Sequence, residues 1–491
     1  MSVGRRTFLR LAGASAVGAV AVACSPGRGT SPSVPPARPP ATPSTSASPP
    51  PSGPPDWDAL RGKLSGGLVL PGDGGFDTAK RGYNPLFDGH TPAAVVKCVS
   101  AEDVQACVTA AARRLPIAAR GGGHSYAGYS VPDRGLVLDL GKMSTVDVQG
   151  DRVVVGAGAR LKDVYAALGR AGRSLPAGSC PSVGIAGLTL GGGIGVLTRK
   201  YGLTCDHLES ARIVTADGKL RTASAQSEQD LFWALRGGGG GNFGVVTSFT
   251  FRTDPAPSVT TFSLKFPSGA ADDVLNAWQS WVSAAPRELW STLTISGGSP
   301  VQCRVGGCYV GGSAALAPLL NDLVSRSGAT PTSRSARGMG YAAAMDYFSG
   351  SEDRESFVAS SRIITEPVDG GKITELASGR SGTDLLIDSL GGAVSDVAPT
   401  ETAFWHRKAI ASVQVYARAT AGNRDAVTRS VGEVVAGLAT AGARGGYVNY
   451  IDPDLPDWAT AYYGDNAARL KQVAKTYDPD GVFRFAQGVA A

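Results

Sequence analysis

The chain has 491 residues, of which 43% are hydrophobic, as in a globular protein of two or three domains. Its net charge is only +6 and no run of basic residues stands out, which argues against nucleic acid as the main partner. Glycine accounts for 66 residues, against a usual share of about 7%, and the excess is clustered. Such clusters mark places where backbone approaches a ligand closely.

The first 24 residues predict an export signal. Arg5-Arg6 precede an apolar run of small residues from Leu11 to Ala23, which is too short to span a membrane. Twin arginines indicate the export route for folded proteins, and therefore an extracellular or cell-envelope location. Cys24 follows as at a bacterial lipoprotein cleavage site, although Ala21 stands where such sites prefer leucine. A lipid anchor on Cys24 and cleavage that releases soluble protein both stay open.

Residues 25–55 contain 12 prolines among many Ser, Thr and Ala residues. This composition predicts a disordered, extended linker without a packed core. The globular part therefore begins near Asp56.

Residues 56–255 form the first predicted globular segment. The helix at 100–113 begins at Ser100-Ala-Glu-Asp103, a capping-box pattern, and a second helix covers 161–169. The predicted strands are 93–97, 116–120, 136–140, 152–155, 211–215, 219–222 and 245–251.

Residues 256–444 have fewer glycine clusters and predict a second, α+β domain. Strands are predicted at 260–266, 291–296 and 411–416, and amphipathic helices at 272–284 and 314–325. From residue 445 the chain becomes loop-rich again, and a last helix is predicted at 466–475. Two cysteine pairs, Cys98 with Cys107 and Cys303 with Cys308, are either disulfides or free buried thiols, because spacing alone does not decide.

Three glycine clusters carry the chemistry. They are Arg120-Gly-Gly-Gly-His-Ser125, the segment Gly187 to Gly195, and the segment Gly237 to Gly244, which includes Asn242. Successive backbone N–H groups in such loops bind anions such as pyrophosphate. The third cluster contains G-x-G-x-x-G, but a strand follows it instead of a helix. A Rossmann fold is therefore rejected, while a dinucleotide ligand is retained.

Other chemistries have little support in the sequence. None of the four histidines has metal-ligand spacing to another His or Cys, so no metal site is predicted. No G-x-S-x-G motif occurs, and no Walker lysine follows a glycine cluster.

Two motifs resemble the berberine bridge enzyme family of the vanillyl-alcohol oxidase (p-cresol methylhydroxylase) superfamily. They are the loop around His124 and the segment Gly178-Ser-Cys-Pro-Ser-Val-Gly184, which contains Cys180. The segments Thr402 to Arg407 and Tyr447 to Asp452 are also similar to the family. The resemblance covers residues 56–491.

The resemblance implies an α+β fold. A two-part FAD-binding domain of the p-cresol methylhydroxylase type would comprise residues 56–255 and 445–491, and the substrate domain between them would contain an antiparallel sheet. It also implies FAD held by two covalent bonds, from His124 to the flavin 8α carbon and from Cys180 to C6. The predicted cofactor-binding residues are His124, Cys180, Arg120, Gly121, Gly122, Gly123, Ser125, Val183, Gly184, Gly187, Gly191, Gly192, Gly195, Gly241, Asn242, Gly244 and Val245.

Tyr450 matches the catalytic base of the family. It would take the hydroxyl proton of an alcohol or hemiacetal while a hydride passes to flavin N5, and O₂ would then reoxidise the flavin to give H₂O₂. A free phenol has a pKa of about 10, so the flavin and nearby donors would have to lower it. Gln414 resembles a position that binds substrate or assists the base. Val183 resembles an open gate for O₂, whereas Ile194 departs from a tyrosine found in many relatives.

These features predict a secreted, monomeric oxidase with bicovalent FAD that acts on a saccharide or a secondary metabolite. Two alternatives stay open. One is a flavin dehydrogenase that passes electrons to an acceptor other than oxygen. The other is a surface lipoprotein that binds a ligand without turnover.

Overall fold

The computed structural model describes residues 53–490, which lie within one compact unit. The predicted export signal, Cys24 and most of the predicted linker lie outside the described residues. Within residues 53–490, no helix is long and apolar enough to cross a membrane.

The first globular segment contains two large sheets and a two-stranded one, Arg173–Ser174 with Asp254–Pro255. The four-stranded sheet has the order Gly67–Val69, Ala94–Lys97, Leu136–Asp139 and Ile117–Arg120. Its last three strands pair in parallel and are largely buried, as expected for apolar runs covered on both faces. The antiparallel five-stranded sheet has the order Val146–Gln149, Arg152–Gly156, Val245–Arg252, Leu208–Val214 and Leu220–Ser224.

Short helices connect these strands. The Ser100 side chain accepts a hydrogen bond from the Asp103 N–H and begins the helix Ala101–Ala111 as expected, but the Asp103 carboxylate accepts from the Val99 N–H, so the predicted capping box is only half formed. This helix ends two residues before the predicted boundary, and Arg113 adopts a left-handed φ of 62°. The main helices of this segment are Trp57–Arg61, Phe76–Ala79, Ala101–Ala111, Leu161–Arg170, Ile185–Leu190, Thr198–Tyr201 and Gln229–Ala234.

The second segment contains a seven-stranded antiparallel sheet. Its order is Ser333–Gly340, Ser258–Lys265, Gln302–Val310, Leu289–Ser296, Thr383–Ser389, Ala411–Arg418 and Phe357–Ile364. The accompanying helices are Ala271–Ala284, Ser313–Ser327, Tyr341–Phe348, Gly370–Ala377 and Arg424–Thr440. Trp278 lies on one of them and donates a hydrogen bond to Ser291 of the sheet at 3.0 Å, which places the helical layer on one face. The predicted α+β fold with a large antiparallel sheet is confirmed.

The C-terminal segment returns to the first one. Its helices are Trp458–Tyr463 and Ala467–Tyr477. The Val489 N–H donates to the Asn242 side chain at 3.0 Å, and the Tyr463 hydroxyl donates to the Gly238 carbonyl at 3.1 Å. The third glycine cluster is therefore held partly by the C-terminal segment, through Val489 and Tyr463.

A buried ion pair fixes the loop beside the second glycine cluster. The Arg407 side chain is fully buried and donates to both carboxylate oxygens of Asp206, at 2.8 and 2.7 Å. It also donates to the Thr402 hydroxyl at 2.6 Å and lies over the Phe404 ring. The bidentate geometry holds two chain segments about 200 residues apart in sequence in one arrangement.

The six cysteines of the described residues are free thiols. Cys303 and Cys308 lie on the single strand Gln302–Val310, five residues apart. Strand side chains alternate, so these two cysteines project from opposite faces, and the suggested hairpin disulfide between them is wrong. Cys98 and Cys107 are buried neighbours, and the hydrogen bond with Cys107 raises the pKa of Cys98.

Candidate active site

A cavity of about 830 Å³ lies between the glycine clusters and one face of the seven-stranded sheet. This volume is within the range of small-molecule and cofactor sites, about 300–1,000 Å³. The predicted site residues that line it are Gly121, Gly122, Gly123, His124, Ser125, Cys180, Val183, Gly184, Gly187, Gly195, Gly241, Asn242, Gly244, Gln414 and Tyr450.

The wall made by the first two glycine clusters is bare backbone. A Cβ atom on Gly122 would lie 2.3 Å from the Gly184 nitrogen, so these loops touch without room for a side chain. A Cβ atom on Gly195 would lie 1.8 Å from the Ala177 carbonyl oxygen. These glycines therefore let the backbone segments pack closely together in the cavity wall, and clustered backbone N–H groups of this kind fit an anionic ligand such as a dinucleotide.

Arg120, Gly191, Gly192 and Val245 are predicted cofactor residues that do not line the cavity. Gly191 and Gly192 instead allow close packing. A Cβ atom on Gly191 would lie 2.1 Å from the Asn449 side-chain oxygen, while Gly192 has a φ of 118°. Their role is to seat neighbouring segments against the second cluster.

Arg120 holds the first glycine loop from behind. Its guanidinium donates to the Ala79 carbonyl at 2.6 Å and to the Asp139 carboxylate at 2.9 Å. The side chain is buried, and its donors are used by these partners. Arg120 therefore does not contact a cofactor directly, contrary to the prediction from the sequence. Its effect on the site is positional.

His124 and Cys180 meet at Ser182. The His124 Nε2 atom lies 3.0 Å from the Ser182 hydroxyl oxygen, and the Cys180 sulfur lies 3.7 Å from the same oxygen. The His124 ring stacks on Tyr83 with centroids 3.8 Å apart. Burial, with a smaller contribution from Arg160, lowers the pKa of His124 to about 4. The imidazole is therefore neutral at physiological pH and keeps a nitrogen lone pair for bonding.

Tyr450 lies in a short 3₁₀ turn, Val448–Tyr450, and its ring is held by other aromatic rings. It stacks on Tyr126 with centroids 5.4 Å apart and meets Tyr447 edge-on at 4.9 Å. The Gln414 side-chain amide donates to the Tyr126 hydroxyl at 2.7 Å. Gln414 therefore positions the ring on which Tyr450 rests.

Tyr447 and Tyr450 differ in their hydroxyl groups. The Tyr447 hydroxyl accepts hydrogen bonds from the N–H groups of Gly193 and Ile194 at 3.0 and 3.2 Å, and from the Asn449 amide at 2.8 Å. No hydrogen bond between residues 53–490 engages the Tyr450 hydroxyl. Tyr447 is thus occupied in holding the second cluster, and the Tyr450 hydroxyl is free for chemistry in the cavity.

Asp388 is an acidic neighbour of Tyr450 in the cavity. Burial raises the pKa of Asp388 to about 6, against the opposing effect of a hydrogen bond with Thr292. Burial, and next the charge of Asp388, raise the pKa of Tyr450 well above 10. The surrounding protein groups therefore stabilise the neutral phenol of Tyr450. The expectation that nearby protein donors lower its pKa is wrong.

Sequence reasoning assigned no role to Ser182, Tyr126 or Asp388. Ser182 lies within the Cys180 motif and Tyr126 directly follows the His124 motif. Their positions in the sequence could therefore have identified them as site residues. Asp388 belongs to the strand Thr383–Ser389, which was not predicted. The sequence feature that could have identified it is an acidic residue among the alternating apolar residues of this strand, on the face that lines the cavity.

The outer part of the cavity is lined by the sheet and by the helix Tyr341–Phe348. Trp290 and Phe348 form an edge-on pair with centroids 6.0 Å apart, and the half-exposed Tyr347 continues it at 5.0 Å from Phe348. Arg304 also lines the cavity and is exposed. The mouth thus combines aromatic rings with a cation.

Family models match two parts of the chain. Residues 92–224 match an FAD binding domain, and residues 446–490 match a model described as berberine and berberine like. Both matched parts contribute residues to the cavity.

Full-length relatives agree with these matches. An uncharacterised FAD-linked oxidoreductase of Bacillus subtilis, YgaK, is 35% identical over 87% of this chain and 97% of its own. A xylooligosaccharide oxidase of Thermothelomyces thermophilus is 30% identical over 82% and 87%. Among solved structures, a glucooligosaccharide oxidase of Acremonium strictum, described with a 6-S-cysteinyl, 8α-N1-histidyl FAD, is 28% identical over 88% and 98%, with a TM-score of 0.80.

Proposed function

The chain belongs to the berberine bridge enzyme-like family of FAD-linked oxidoreductases, and we propose that it is an exported oxidase that oxidises an alcohol or hemiacetal carbon of an oligosaccharide. The observation that carries the proposal is one cavity that holds His124, Cys180 and an unengaged Tyr450 hydroxyl. Oxygen is the proposed electron acceptor, supported by two relatives named as oligosaccharide oxidases and by Val183 in the cavity wall.

Bicovalent attachment of FAD to His124 and Cys180 is part of the proposal. The neutral His124 imidazole and the partly exposed Cys180 thiol are nucleophiles on one wall, with Ser182 oriented towards both. The cavity of about 830 Å³ beside them leaves space for the rest of the cofactor. Bound FAD would supply the two-electron acceptor for substrate oxidation.

A tryptic digest of the holoenzyme is expected to contain one flavopeptide that links the His124 and Cys180 peptides through a single FAD. His124→Ala and Cys180→Ala should each leave FAD on one peptide only, and the double variant should lose covalent flavin, because no nucleophile remains. Mass spectrometry of denatured and digested protein measures all four cases.

Cys303→Ala is the matched control, because Cys303 is a buried thiol of the seven-stranded sheet and does not line the cavity. Its digest should equal that of the wild type. Peroxide release with xylotriose then tests turnover. A folded, colourless wild-type protein without flavin would contradict the oxidase and favour a non-catalytic binding protein. Turnover with a dye but without oxygen would favour a dehydrogenase.

Export is proposed from the sequence signal, in particular Arg5-Arg6 and the apolar run behind it. The route fits a protein that must fold around FAD before it leaves the cytoplasm. The mass of the mature N-terminal peptide distinguishes lipidated Cys24 from a conventionally cleaved chain.

In the proposed reaction, Tyr450 acts as a proton relay. The high pKa of Tyr450 keeps its phenol neutral, so it does not wait as a phenolate. The Tyr450 oxygen instead accepts the substrate hydroxyl proton while its own proton moves towards the Asp388 carboxylate, with which Tyr450 would form a hydrogen bond only once substrate is bound. Asp388 is suited to this role because its pKa of about 6 leaves it ionised at neutral pH and still basic enough to accept a proton.

The pH dependence of kcat/KM tests the relay. The Asp388 carboxylate must be unprotonated to accept, so kcat/KM should rise through about pH 6 and level off above it. Asp388→Asn should remove this limb and lower the plateau at least about tenfold, the smaller end of a general-base effect. Stopped-flow flavin reduction under anaerobic conditions measures both.

Asp384→Asn is the control, because Asp384 lies on the same face of the same strand. It should keep the limb near pH 6. An unchanged limb in Asp388→Asn would show that another group accepts the proton.

A further inference from the structure

Two cations face each other at the mouth of the cavity. Arg304 lines the cavity on the strand Gln302–Val310, and Lys265 lies directly opposite it on the neighbouring strand Ser258–Lys265. Opposed residues of an antiparallel pair share one face, with Cβ atoms about 4.5–5.5 Å apart. Both side chains are exposed. Like charges directly opposite each other destabilise a sheet, so this pair is more consistent with a binding role than with a contribution to stability.

No acidic side chain of residues 53–490 neutralises this pair. Neither Lys265 nor Arg304 forms a salt bridge or a side-chain hydrogen bond with another described residue. Among the acids on the same side of the sheet, Asp384 forms no salt bridge with either cation, and two others have different neighbours. Glu355 accepts hydrogen bonds from Tyr416 and Arg418, both at 2.8 Å, and Asp388 lies beside Tyr450. The positive charge at the mouth is thus left for a ligand.

The sheet between the cations and the catalytic groups forms a continuous floor. Gln414, Leu386, Thr294, Arg304 and Lys265 occupy one line of register across five strands. Strands are about 4.8 Å apart, so Arg304 lies about 14 Å from Gln414 along this line. A group bound between Lys265 and Arg304 is therefore remote from the reacting carbon but within reach of an extended substrate.

Resting on the proposed oxidase function, we propose that the substrate is an acidic oligosaccharide. A carboxylate on a sugar unit remote from the oxidised carbon binds between Lys265 and Arg304. The planar guanidinium of Arg304 matches a carboxylate in a bidentate geometry, and Lys265 adds a second charge. Phe348, which lines the same cavity, and its neighbour Tyr347 provide apolar surface for other sugar rings of an extended substrate.

The test compares xylotriose with xylotriose that carries one glucuronate branch. The wild-type holoenzyme should favour the acidic sugar about fivefold in kcat/KM, since each exposed ion pair contributes a few-fold. The preference should shrink at high ionic strength. Arg304→Gln and Lys265→Gln should each reduce the acid-to-neutral ratio, and the double variant should bring it close to one.

Arg334→Gln is the matched control. Arg334 is an exposed arginine of the adjacent strand that lies on the opposite face and donates to Asn321 at 2.8 Å. Its loss changes the net charge equally and should leave the ratio as in the wild type.

Calorimetric titration of the holoenzyme with the same two sugars separates this inference from the proposed function. Tighter binding of the acidic sugar that is lost in Arg304→Gln supports the anion site, whether or not the sugars are oxidised. If neither sugar is oxidised, the proposed activity on these sugars is refuted, but the anion site is not. Equal affinity of the wild type for the two sugars, or an unchanged ratio in Arg304→Gln, overturns the inference.

Discussion

Replacing Tyr450 with phenylalanine is expected to lower kcat by about 10²- to 10⁴-fold, the usual contribution of a positioned general base. The ring stack on Tyr126 and the edge contact with Tyr447 need no hydroxyl, so the phenylalanine ring should keep its place. What disappears is the oxygen that receives the substrate proton. Anaerobic stopped-flow reduction of the flavin by xylotriose measures the loss, and the denatured-protein mass verifies equal flavin content.

Tyr126→Phe provides the comparison. This change removes the hydrogen bond from Gln414 while preserving the stack, so it should lower kcat less than tenfold, through the orientation of Tyr450. A Tyr450→Phe enzyme that retains more than a tenth of wild-type kcat would exclude Tyr450 as the proton acceptor.

Asp206→Ala is expected to lower the free energy of unfolding by about 3–5 kcal/mol, because it leaves the buried Arg407 guanidinium without its counter-ion. Arg407 is fully buried and Asp206 is only 12% exposed, so water does not replace the lost carboxylate well. Equilibrium unfolding of the holoenzyme in urea, followed by far-UV circular dichroism, measures the change through the midpoint and slope.

The exposed pair of Arg287 and Asp396, 3.0 Å apart, is the control. Asp396→Ala removes an ion pair of similar length from a solvated surface and should cost less than about 1 kcal/mol. If the two variants were equally stable, burial of the Arg407 charge would have no energetic consequence, contrary to expectation.

Local sequence signals predicted much of the fold. The helix start at Ser100 and the alternating strand at 411–416 appear in the structure close to their predicted bounds. The edge strand Ser333–Gly340 was missed because its residues are polar, small and exposed, and it becomes a strand only by pairing with Ser258–Lys265. The helix Arg424–Thr440 was also missed, and its interior contains two glycines and a threonine, which weaken helical propensity.

The site divides in a similar way. His124, Cys180 and Tyr450 were found because each lies in a compact motif, and the structure brings all three to one cavity. Asp388 could not be assigned from its surroundings, because its proximity to Tyr450 depends on the register of the large sheet. Arg304 was missed for the same reason. Its proposed role depends on Lys265, which is 39 positions away in the sequence and is not linked to Arg304 by any local pattern.

The bond between Val489 and Asn242 has a consequence for how the enzyme is made. The wall of the third glycine cluster is completed by Val489, which is synthesised long after His124 and Cys180. A nascent chain therefore presents both proposed attachment points before this wall of the cavity is complete. If the proposed attachment holds, flavin loading is a late step of maturation, and a chain truncated before Val489 keeps its nucleophiles but has an incomplete pocket.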